Sequence, residues 1–215
     1  AGKAALGLAR AALAKPESGW LYPLPAVTLC APVPRPGKLI CLGHNYYDHM
    51  EQGRTEPPEF PTLFCKTVNT VIGPGQPVIM PAASTQVDYE AELAVVIGKR
   101  GRNITEHAAL HLVAGYTIFN DVSARDYQKR TSQWMLGKSF DTFGPMGPAI
   151  VTTDEFDDPQ TLELSLTLNG RELQRTNTRH MIFSVAYTIA YLTSVMTLEP
   201  GDVISTGTPA KTALA

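Results

Sequence analysis

The sequence predicts an α+β fold that is rich in strands, and three patterns carry this prediction. Residues 88–98 contain a run of Val and Ile, which is typical of a β-strand. Leucines alternate with polar residues over 162–168 and then meet Asn169-Gly170, a strong hairpin signal. Apolar residues recur at helical spacing over 181–196. A sheet with a few helices therefore accounts for the chain.

The first part of the chain combines a helix, an extended stretch and a strand. Residues 3–14 are rich in Ala and Leu and predict a short helix. Prolines punctuate residues 16–36, so this stretch is expected to be extended, and a strand is predicted over 38–43. A polar helical turn over 44–52 gives way to a proline-rich loop over 55–61, and the two together are a candidate lid.

Length and composition describe one globular domain, or at most two. The 215 residues are 44% hydrophobic, with 18 basic and 20 acidic side chains and a formal net charge of -2. Such a chain can bury a sizeable core. Its basic residues form no block, so a nucleic-acid partner is not expected. No apolar run reaches transmembrane length, so a membrane partner is not expected either.

The cysteines and the start of the chain bear on compartment and completeness. Cys30, Cys41 and Cys65 form no Cys-x-x-Cys pair and each lies in an apolar stretch, so we expect buried free thiols in a cytoplasmic protein. The chain begins with Ala rather than Met, and its first segment lacks the apolar core of a signal peptide. Residues 1–36 are therefore expected to be a partial N-terminal segment.

A candidate metal site comes from two neighbouring segments. Glu90 and Glu92 stand two apart in the predicted strand, which places both carboxylates on one face. Asp121 follows the apolar residues 116–120, so an adjacent strand could deliver a third carboxylate. No His or Cys occurs in either segment, which favours Mg²⁺ or Mn²⁺, then Ca²⁺, over zinc. The alternative is a solvated strand face, but residues 93–97 are so apolar that the strand is expected to be buried, and a buried carboxylate pair needs a counter-ion.

Further polar residues could surround such a cation. A helical turn just after Asp121 would bring Arg125 and Gln128 together at i, i+3, where they suit an anionic, oxygen-rich small molecule. The alternative is ordinary polarity of a helix surface. Lys66 and Lys138 interrupt apolar surroundings, and although lone lysines usually extend to water, a lysine near a cation can neutralise developing enolate charge.

Six separated motifs follow one another along the chain. They are Asn45-Tyr46-x-Asp48-His49, Phe64-x-Lys66, Glu90-x-Glu92, Asp121-Val-Ser-Ala-Arg125-Asp-x-Gln128, Lys138-Ser-Phe-Asp141 with Gly144-Pro145, and Thr206-Gly-Thr208-Pro209. In order and intervals they resemble the fumarylacetoacetate hydrolase family, over about residues 37–211, and six motifs together are far more specific than any one of them. Residues 37–215 are therefore expected to form the catalytic domain.

The resemblance implies a mixed β-sandwich roll, usually a homodimer, that binds Mg²⁺ or Mn²⁺ through Glu90, Glu92 and Asp121. Family members chelate a 2-oxo or 1,3-dicarbonyl acid and then hydrolyse a C–C bond, remove CO₂ or move a double bond, and these reactions share an enolate. We expect C–C bond hydrolysis of an acylpyruvate-like or fumarylacetoacetate-like acid. Decarboxylation and dienoate isomerisation or tautomerisation are the alternatives, and a non-catalytic ligand-binding relative is a further one.

The resemblance also assigns a general base, His49, on a mobile lid helix. The family commonly places a glutamate three residues after this histidine, where the chain has Gln52. Three arrangements follow: Glu51 substitutes, the lid helix is distorted, or His49 works with Asp48 or Gln52. His44 is the competing histidine.

The remaining assignments place side chains around the bound acid. These residues are Lys66, Arg125, Gln128, Lys138 and Thr208. Lys138 is expected to act catalytically by neutralising enolate charge. Thr208 lies in a Gly-Thr-Pro turn whose amides and hydroxyl could receive a carboxylate, and the alternative is plain hairpin punctuation.

Overall fold

The computed structural model describes residues 2–16, 19, 21–48, 56–155 and 157–210. In this part of the chain the α-helices are α1 Gly2–Ala14, α2 Glu106–Ala109, α3 Arg125–Gln128, α4 Met135–Lys138 and α5 Val185–Val195. Apart from α1 and α5 these are single turns. None of them is long and apolar enough to span a membrane.

Strands make up most of the regular structure. They are β1 Leu39–Gly43, β2 Thr62–Cys65, β3 Val71–Ile72, β4 Val87–Asp88, β5 Ala91–Ile97, β6 Val113–Asn120, β7 Ser123–Ala124, β8 Gly144–Thr152, β9 Glu163–Leu168, β10 Arg171–Asn177 and β11 Val203–Ser205. Seven form one curled sheet in the order β2-β1-β11-β5-β6-β8-β3, and β9 with β10 and β4 with β7 form separate pairs. Because β1 and β11 are parallel while β5 and β6 are antiparallel, the sheet is mixed, which confirms the predicted strand-rich α+β class.

Several predicted elements are present with small shifts at their ends. The predicted helix over 3–14 is α1, and the predicted strand over 38–43 is β1. The alternating leucines form β9, which pairs with β10 as a hairpin. Asn169 has a φ of 51° and Gly170 a φ of 77°, so both occupy the left-handed region that a two-residue hairpin turn requires.

The helix predicted over 181–196 begins four residues later, as α5. Asn45 explains the delay, because it holds the preceding backbone extended. Its carbonyl accepts from the Ile182 N–H at 2.9 Å, and its Oδ1 accepts from the Phe183 N–H at 2.8 Å. Ser184 then caps the first turn through its side-chain oxygen.

The strand predicted over 88–98 is divided in two. β4 ends before Tyr89 and β5 begins after Glu90, so Glu90 lies in the connection between them. The Glu90 N–H donates to Asn120 Oδ1 at 3.0 Å, and its carbonyl accepts from the Asp121 N–H at 2.9 Å. The strand period was therefore the wrong reason for expecting the two glutamates to converge, although their carboxylates do so.

The core has two faces, with β5 between them. Every residue of β5 is buried, which confirms the expectation of a strand covered on both sides. On one face β5 packs with α5, whose Ile189 and Leu192 belong to the larger apolar cluster. On the other face it packs with Phe119 and Met146. Carboxylates at the N-terminal end of this strand are therefore poorly solvated.

The prediction of buried thiols holds for one cysteine only. Cys41 is buried in β1, whereas Cys30 and Cys65 are exposed. Cys65 lies on the edge strand β2, whose residues alternate between exposed and half-buried, and Cys30 lies outside any helix or strand. All three are free.

Four strands present their ends at one edge of the sheet. β5 begins there, and β6 and β11 end there because both are antiparallel to β5. β1 ends there as well, because it is parallel to β11. This edge carries the cluster of charged side chains described next.

Candidate metal centre

Glu90, Glu92 and Asp121 converge at this edge of the sheet. Each offers a carboxylate oxygen, these oxygens lie within 4.8 Å of one another, and all three residues are buried. Glu90 comes from the connection before β5, Glu92 from β5 itself, and Asp121 from the position directly after β6. The three predicted metal ligands are therefore brought together, and oxygen donors in this number suit a hard divalent cation.

The carboxyl group of Glu92 has one oxygen held in place and one without a partner. Oε2 accepts hydrogen bonds from the Ser205 hydroxyl and from the Gly207 N–H, the latter at 2.9 Å. Oε1 is buried and has no hydrogen-bond partner within the described part of the chain. Burial, followed by the charges of Asp121 and Glu90, raises the pKa of Glu92 well above its usual value. A fixed, buried, unpartnered oxygen fits the requirements of a metal ligand.

Asp121 is fully buried between two lysines. Its Oδ1 accepts from Lys66 Nζ and its Oδ2 from Lys138 Nζ, each at 2.6 Å. Burial acts to raise the pKa of Asp121, but the charges of Lys138 and Lys66 outweigh it and lower that pKa. Asp121 is therefore ionised in the folded protein at neutral pH.

The two lysines differ in how firmly they hold their protons. Lys138 Nζ also donates to Glu90 Oε2 at 2.7 Å. Burial opposes its charge, but Asp121 and Glu90 together raise the pKa of Lys138 above its usual value. For Lys66, burial dominates, because it pairs with Asp121 alone and is repelled by Lys138, so its pKa is lowered. Lys138 thus remains an ammonium, while Lys66 releases its proton more readily.

Arg125 closes the cluster on the side of β4. Its Nε and Nη2 donate to Asp88 Oδ2 at 3.0 and 2.7 Å, and Nη2 also lies 2.6 Å from Glu90 Oε1. Its Nη1 donates to Gln128 Oε1 at 2.9 Å, so the expected meeting of Arg125 and Gln128 is present. The guanidinium is buried, which excludes the alternative of ordinary helix-surface polarity.

The cluster is electrically neutral when Glu92 carries a proton. Three cationic side chains then face three ionised carboxylates. The cations are Lys66, Lys138 and Arg125, and the carboxylates are Asp88, Glu90 and Asp121. Burial raises the pKa of Glu92, which favours this protonated form in the metal-free protein. A divalent cation bound in exchange for the proton leaves one net positive charge, which favours an anionic ligand.

The turn formed by residues 206–209 lies beside β5, and the hydroxyl group of its Thr208 is hydrogen-bonded within the protein. Thr208 Oγ1 donates to the Ala91 carbonyl at 2.9 Å and accepts from Gln174 Nε2 at 2.9 Å. A hydroxyl has one hydrogen, so this hydrogen does not face a ligand in the present arrangement. Contact between Thr208 and a substrate carboxylate stays a prediction.

The predicted base His49 and two of its proposed partners, Glu51 and Gln52, lie outside the described residues. The third, Asp48, is the last described residue of its segment, and the roles of all four stay predictions. The competing histidine, His44, is described. It is exposed, it has a φ of 56°, and its ring centroid lies 5.3 Å from that of Trp134.

Side chains that were not predicted also contact the cluster or the backbone beside it, among them Asp88, Ser205 and Gln174. Asp88 stands two residues before Glu90, and this spacing is a signal that could have found it. Ser205 directly precedes the Thr206 motif. Gln174 belongs to no motif, and only the folded chain reveals its position.

The model of the fumarylacetoacetate hydrolase C-terminal domain matches residues 38–214. The chain belongs to the fumarylacetoacetate hydrolase family. The matched range contains all three carboxylates of the candidate metal centre, and it confirms the resemblance carried by the six motifs.

Two kinds of relative stand out among proteins similar to this family member. The chain is 46% identical over 209 residues to oxaloacetate tautomerase Fahd2a, mitochondrial, of Rattus norvegicus, covering 97% of this chain and 66% of the rat protein. It therefore spans slightly less than two thirds of that relative. It also matches the structure of 2-hydroxyhepta-2,4-diene-1,7-dioate isomerase from Mycobacterium marinum, with a TM-score of 0.81 and 41% identity over 91% of this chain and 72% of that one.

A third relative carries a hydrolase name. Fumarylacetoacetate hydrolase from Exiguobacterium antarcticum matches with a TM-score of 0.79 and 43% identity over 85% of this chain and 66% of that one. Membership of an enzyme family is thus shown, whereas hydrolysis as the particular reaction stays a prediction. The rat relative is named as mitochondrial, so the expected cytoplasmic location also stays a prediction, as does the homodimer.

Proposed function

We propose that this family member is a divalent-metal-dependent enzyme that interconverts the keto and enol forms of a small 2-oxo dicarboxylic acid. The observation that carries the proposal is the buried triad of carboxylates surrounded by three buried cations. The names of the rat and Mycobacterium marinum relatives, a tautomerase and an isomerase, support proton movement as the reaction. The sequence motifs alone favour hydrolysis, which becomes the second candidate.

The charge of the centre supports an acidic substrate. With a divalent cation in place and all four carboxylates ionised, the cluster has one net positive charge, and it lies in a poorly solvated part of the protein. One carboxylate of a substrate neutralises that charge. Gln128 adds an amide beside Arg125, at 2.9 Å from its guanidinium, which suits a further carbonyl or carboxylate oxygen.

Glu90, Glu92 and Asp121 would hold the cation, which would act as a Lewis acid on the oxygens of the bound acid. Lys138 keeps its proton, so it supplies fixed positive charge where an enolate oxygen gains negative charge. Arg125, which pairs with the other oxygen of Glu90, also supplies positive charge, and Asp88 fixes its orientation by accepting two hydrogen bonds. These charges are already oriented before the substrate arrives, so little reorganisation is needed during the reaction.

The proton itself must be moved by a group that gains and loses it near neutral pH. Lys138 is unsuited to this role because its pKa is raised. His49 is the base that the family motif assigns, and imidazole titrates in the required range. Lys66, whose pKa is lowered by burial, is the other candidate within the described cluster.

The proposal is tested by an activity panel on purified protein with Mg²⁺, Mn²⁺ or EDTA. Oxaloacetate reports tautomerisation through the loss of enol absorbance and decarboxylation through CO₂ release, while acetylpyruvate and fumarylacetoacetate report hydrolysis. We expect EDTA-sensitive tautomerisation by the wild type. Glu199→Gln, at an exposed glutamate that pairs with Arg100, serves as the matched control and should remain active, whereas Glu92→Gln should not.

The panel separates the candidates. Tautomerisation that persists in EDTA, or that Glu92→Gln retains, would contradict the proposed centre. Turnover of acetylpyruvate or fumarylacetoacetate without tautomerisation would instead favour C–C bond hydrolysis, the second candidate, which the Exiguobacterium antarcticum structure supports by its name. CO₂ release from oxaloacetate alone would favour decarboxylation.

Replacing His49 with Ala is expected to lower turnover by about 10²- to 10⁴-fold, since this is the usual contribution of a general base. Metal affinity should not change, because His49 is not one of the three metal-ligand candidates. The measurements are steady-state kinetics and calorimetric titration with Mn²⁺. His44→Asn is the matched control, because Asn tolerates the left-handed backbone at this position, where φ is 56°. An unchanged rate in His49→Ala, with a reduced rate in His44→Asn, would move the role to His44.

A further inference from the structure

Gln174 connects the hairpin of β9 and β10 to the metal edge of the sheet. Gln174 is 1% exposed, and it lies where the register between the two strands shifts, between Glu172 and Gln174. A bulge of this kind redirects a side chain. Here the side-chain amide leaves the hairpin and reaches both β5 and the turn of residues 206–209.

The amide of Gln174 uses its acceptor and both of its donors. Oε1 accepts from the Ala91 N–H at 3.0 Å, and Nε2 donates to Thr208 Oγ1 at 2.9 Å and to the Pro209 carbonyl at 3.0 Å. Thr208 completes a ring of hydrogen bonds by donating its hydroxyl hydrogen to the Ala91 carbonyl at 2.9 Å. Both backbone polar groups of Ala91 are therefore held by the side chains of Gln174 and Thr208.

Ala91 is the residue between the two glutamates of the candidate metal centre. The peptide units on either side of Ala91 set the directions in which Glu90 and Glu92 leave the backbone, so fixing these units fixes both carboxylates. The same turn supplies the Gly207 N–H that donates to Glu92 Oε2 at 2.9 Å. Metal affinity depends on such outer contacts because they hold the ligands in the geometry that the ion requires.

The chemistry of this position is specific to a side-chain amide. One acceptor and two donors are needed at the same point, and an ionised carboxylate has no hydrogen to donate. A methionine of similar length offers neither an acceptor of comparable strength nor a donor. The hydrogen bonds of Gln174 can therefore be removed with little change in volume.

We propose that Gln174 is a positioning residue for the metal centre, which acts through Ala91 and Thr208 to hold Glu90 and Glu92 in the arrangement that binds the cation. The inference deepens the proposed function, on which it rests for the identity of the centre. It also gives the hairpin of β9 and β10 a role in the site, although none of its residues was predicted to have one.

The first test compares two isosteric substitutions on β10. Gln174→Met is expected to raise the dissociation constant for Mn²⁺ by about 10- to 100-fold, the usual effect of losing an outer contact of a metal ligand. Asn177→Leu is the matched control. Asn177 is also buried on β10, and its amide likewise donates twice, to Thr161 O and Glu163 Oε1, and accepts once, from the Arg179 N–H. Its partners lie outside the metal centre, so the affinity for Mn²⁺ should stay within about twofold of the wild type.

The second test is a double-mutant cycle with Thr208→Val. This substitution breaks the same ring of hydrogen bonds while Gln174 remains. If Gln174 acts through Thr208, each single substitution weakens Mn²⁺ binding, and the double variant binds about as weakly as the worse single variant rather than with the product of the two effects. Thr208→Val also carries the test if Gln174→Met does not fold. Calorimetric titration with Mn²⁺ alone provides the readout, so no substrate is required.

Two outcomes would overturn the inference. The first is an unchanged Mn²⁺ affinity in Gln174→Met, or in Thr208→Val if Gln174→Met does not fold. The second is a loss of Mn²⁺ affinity in Asn177→Leu equal to that in Gln174→Met, which would indicate general loosening of the hairpin. Failure of the proposed function looks different. In that case the wild type binds Mn²⁺ and the variants differ as expected, but none of the oxo acids in the activity panel is converted.

Discussion

Replacing Glu92 with Gln is expected to abolish divalent-metal binding and turnover while leaving the metal-free protein about as stable as the wild type. Burial raises the pKa of Glu92 well above its usual value, which favours a neutral carboxyl group at this position in the metal-free protein. A glutamine side chain matches that group in shape and charge, and its oxygen can still accept from Ser205 and the Gly207 N–H. It cannot supply a charged oxygen ligand, so turnover should fall by at least about 10²- to 10³-fold.

The measurements are thermal unfolding with and without Mg²⁺, calorimetric titration with Mn²⁺, and the oxaloacetate assay. The wild type should unfold at a higher temperature when metal is added, by mass action, whereas Glu92→Gln should not respond. Glu199→Gln should behave as the wild type, since Glu199 is exposed. A large drop in the unfolding temperature of metal-free Glu92→Gln would show that Glu92 is ionised before metal binds, and retained turnover would reject the site.

The pH dependence of this stabilisation follows from the same group. The folded-state pKa of Glu92 lies above that of the unfolded chain, so its proton contributes stability that is fully present below the unfolded pKa and is lost as pH rises through the folded pKa. Bound metal replaces the proton, so the metal-induced rise in unfolding temperature should grow with pH over that range. In Glu92→Gln, neither this loss of stability with rising pH nor the metal-induced rise in unfolding temperature should occur.

Replacing Lys138 with Met is expected to destabilise the metal-free protein by about 3–5 kcal/mol, the range typical of removing one partner from a buried ion pair. The Lys138 ammonium lies 2.7 Å from Glu90 Oε2 and 2.6 Å from Asp121 Oδ2, and it is buried. Its removal leaves both carboxylates short of a counter-ion. For a chain of this size the unfolding temperature should fall by roughly 6 to 20 °C.

Lys66→Met provides the comparison, because Lys66 also lies 2.6 Å from Asp121 and is equally buried. Its effect should be smaller, since Lys66 contacts one carboxylate and burial already lowers its pKa. The affinity of Lys138→Met for Mn²⁺ should not fall, because the missing ammonium shares its carboxylate oxygens with the cation. Turnover should still be lost with its positive charge. An equal or larger loss of stability in Lys66→Met, or weaker metal binding in Lys138→Met, would contradict this account.

Local sequence patterns predict which side chains belong to the site and which strands or helical turns carry them. Glu92 and Asp121 could be placed because each lies next to a run whose β-branched or aromatic residues favour a strand. Arg125 and Gln128 could be paired because helical spacing brings them together, and they do form a hydrogen bond. The pairing of Arg125 with Gln128 rests on one segment, and the structure agrees with it.

The parts that were missed depend on contacts between distant segments. The break at Tyr89-Glu90 is fixed by Asn120, which accepts the Glu90 N–H from the neighbouring strand. Gln174 is 83 residues away from the Ala91 N–H that it binds, so no spacing rule reveals it. Thr208 was recognised by its motif, but its hydroxyl hydrogen could not be assigned to Ala91 before the register of the sheet was known.

The place of β11 in the sheet bears on the order in which the molecule is built during translation. β11 is the last described strand in the sequence, yet it lies between β1 and β5. Until it emerges from the ribosome, β1 and β5 have no common neighbour, and their facing backbone edges are open to pairing with other chains. Ser205 and Gly207, which hold the Glu92 carboxyl group, emerge together with β11 and after β5. The sheet and the cation-binding cluster can therefore be completed only after residues 203–207 have been synthesised.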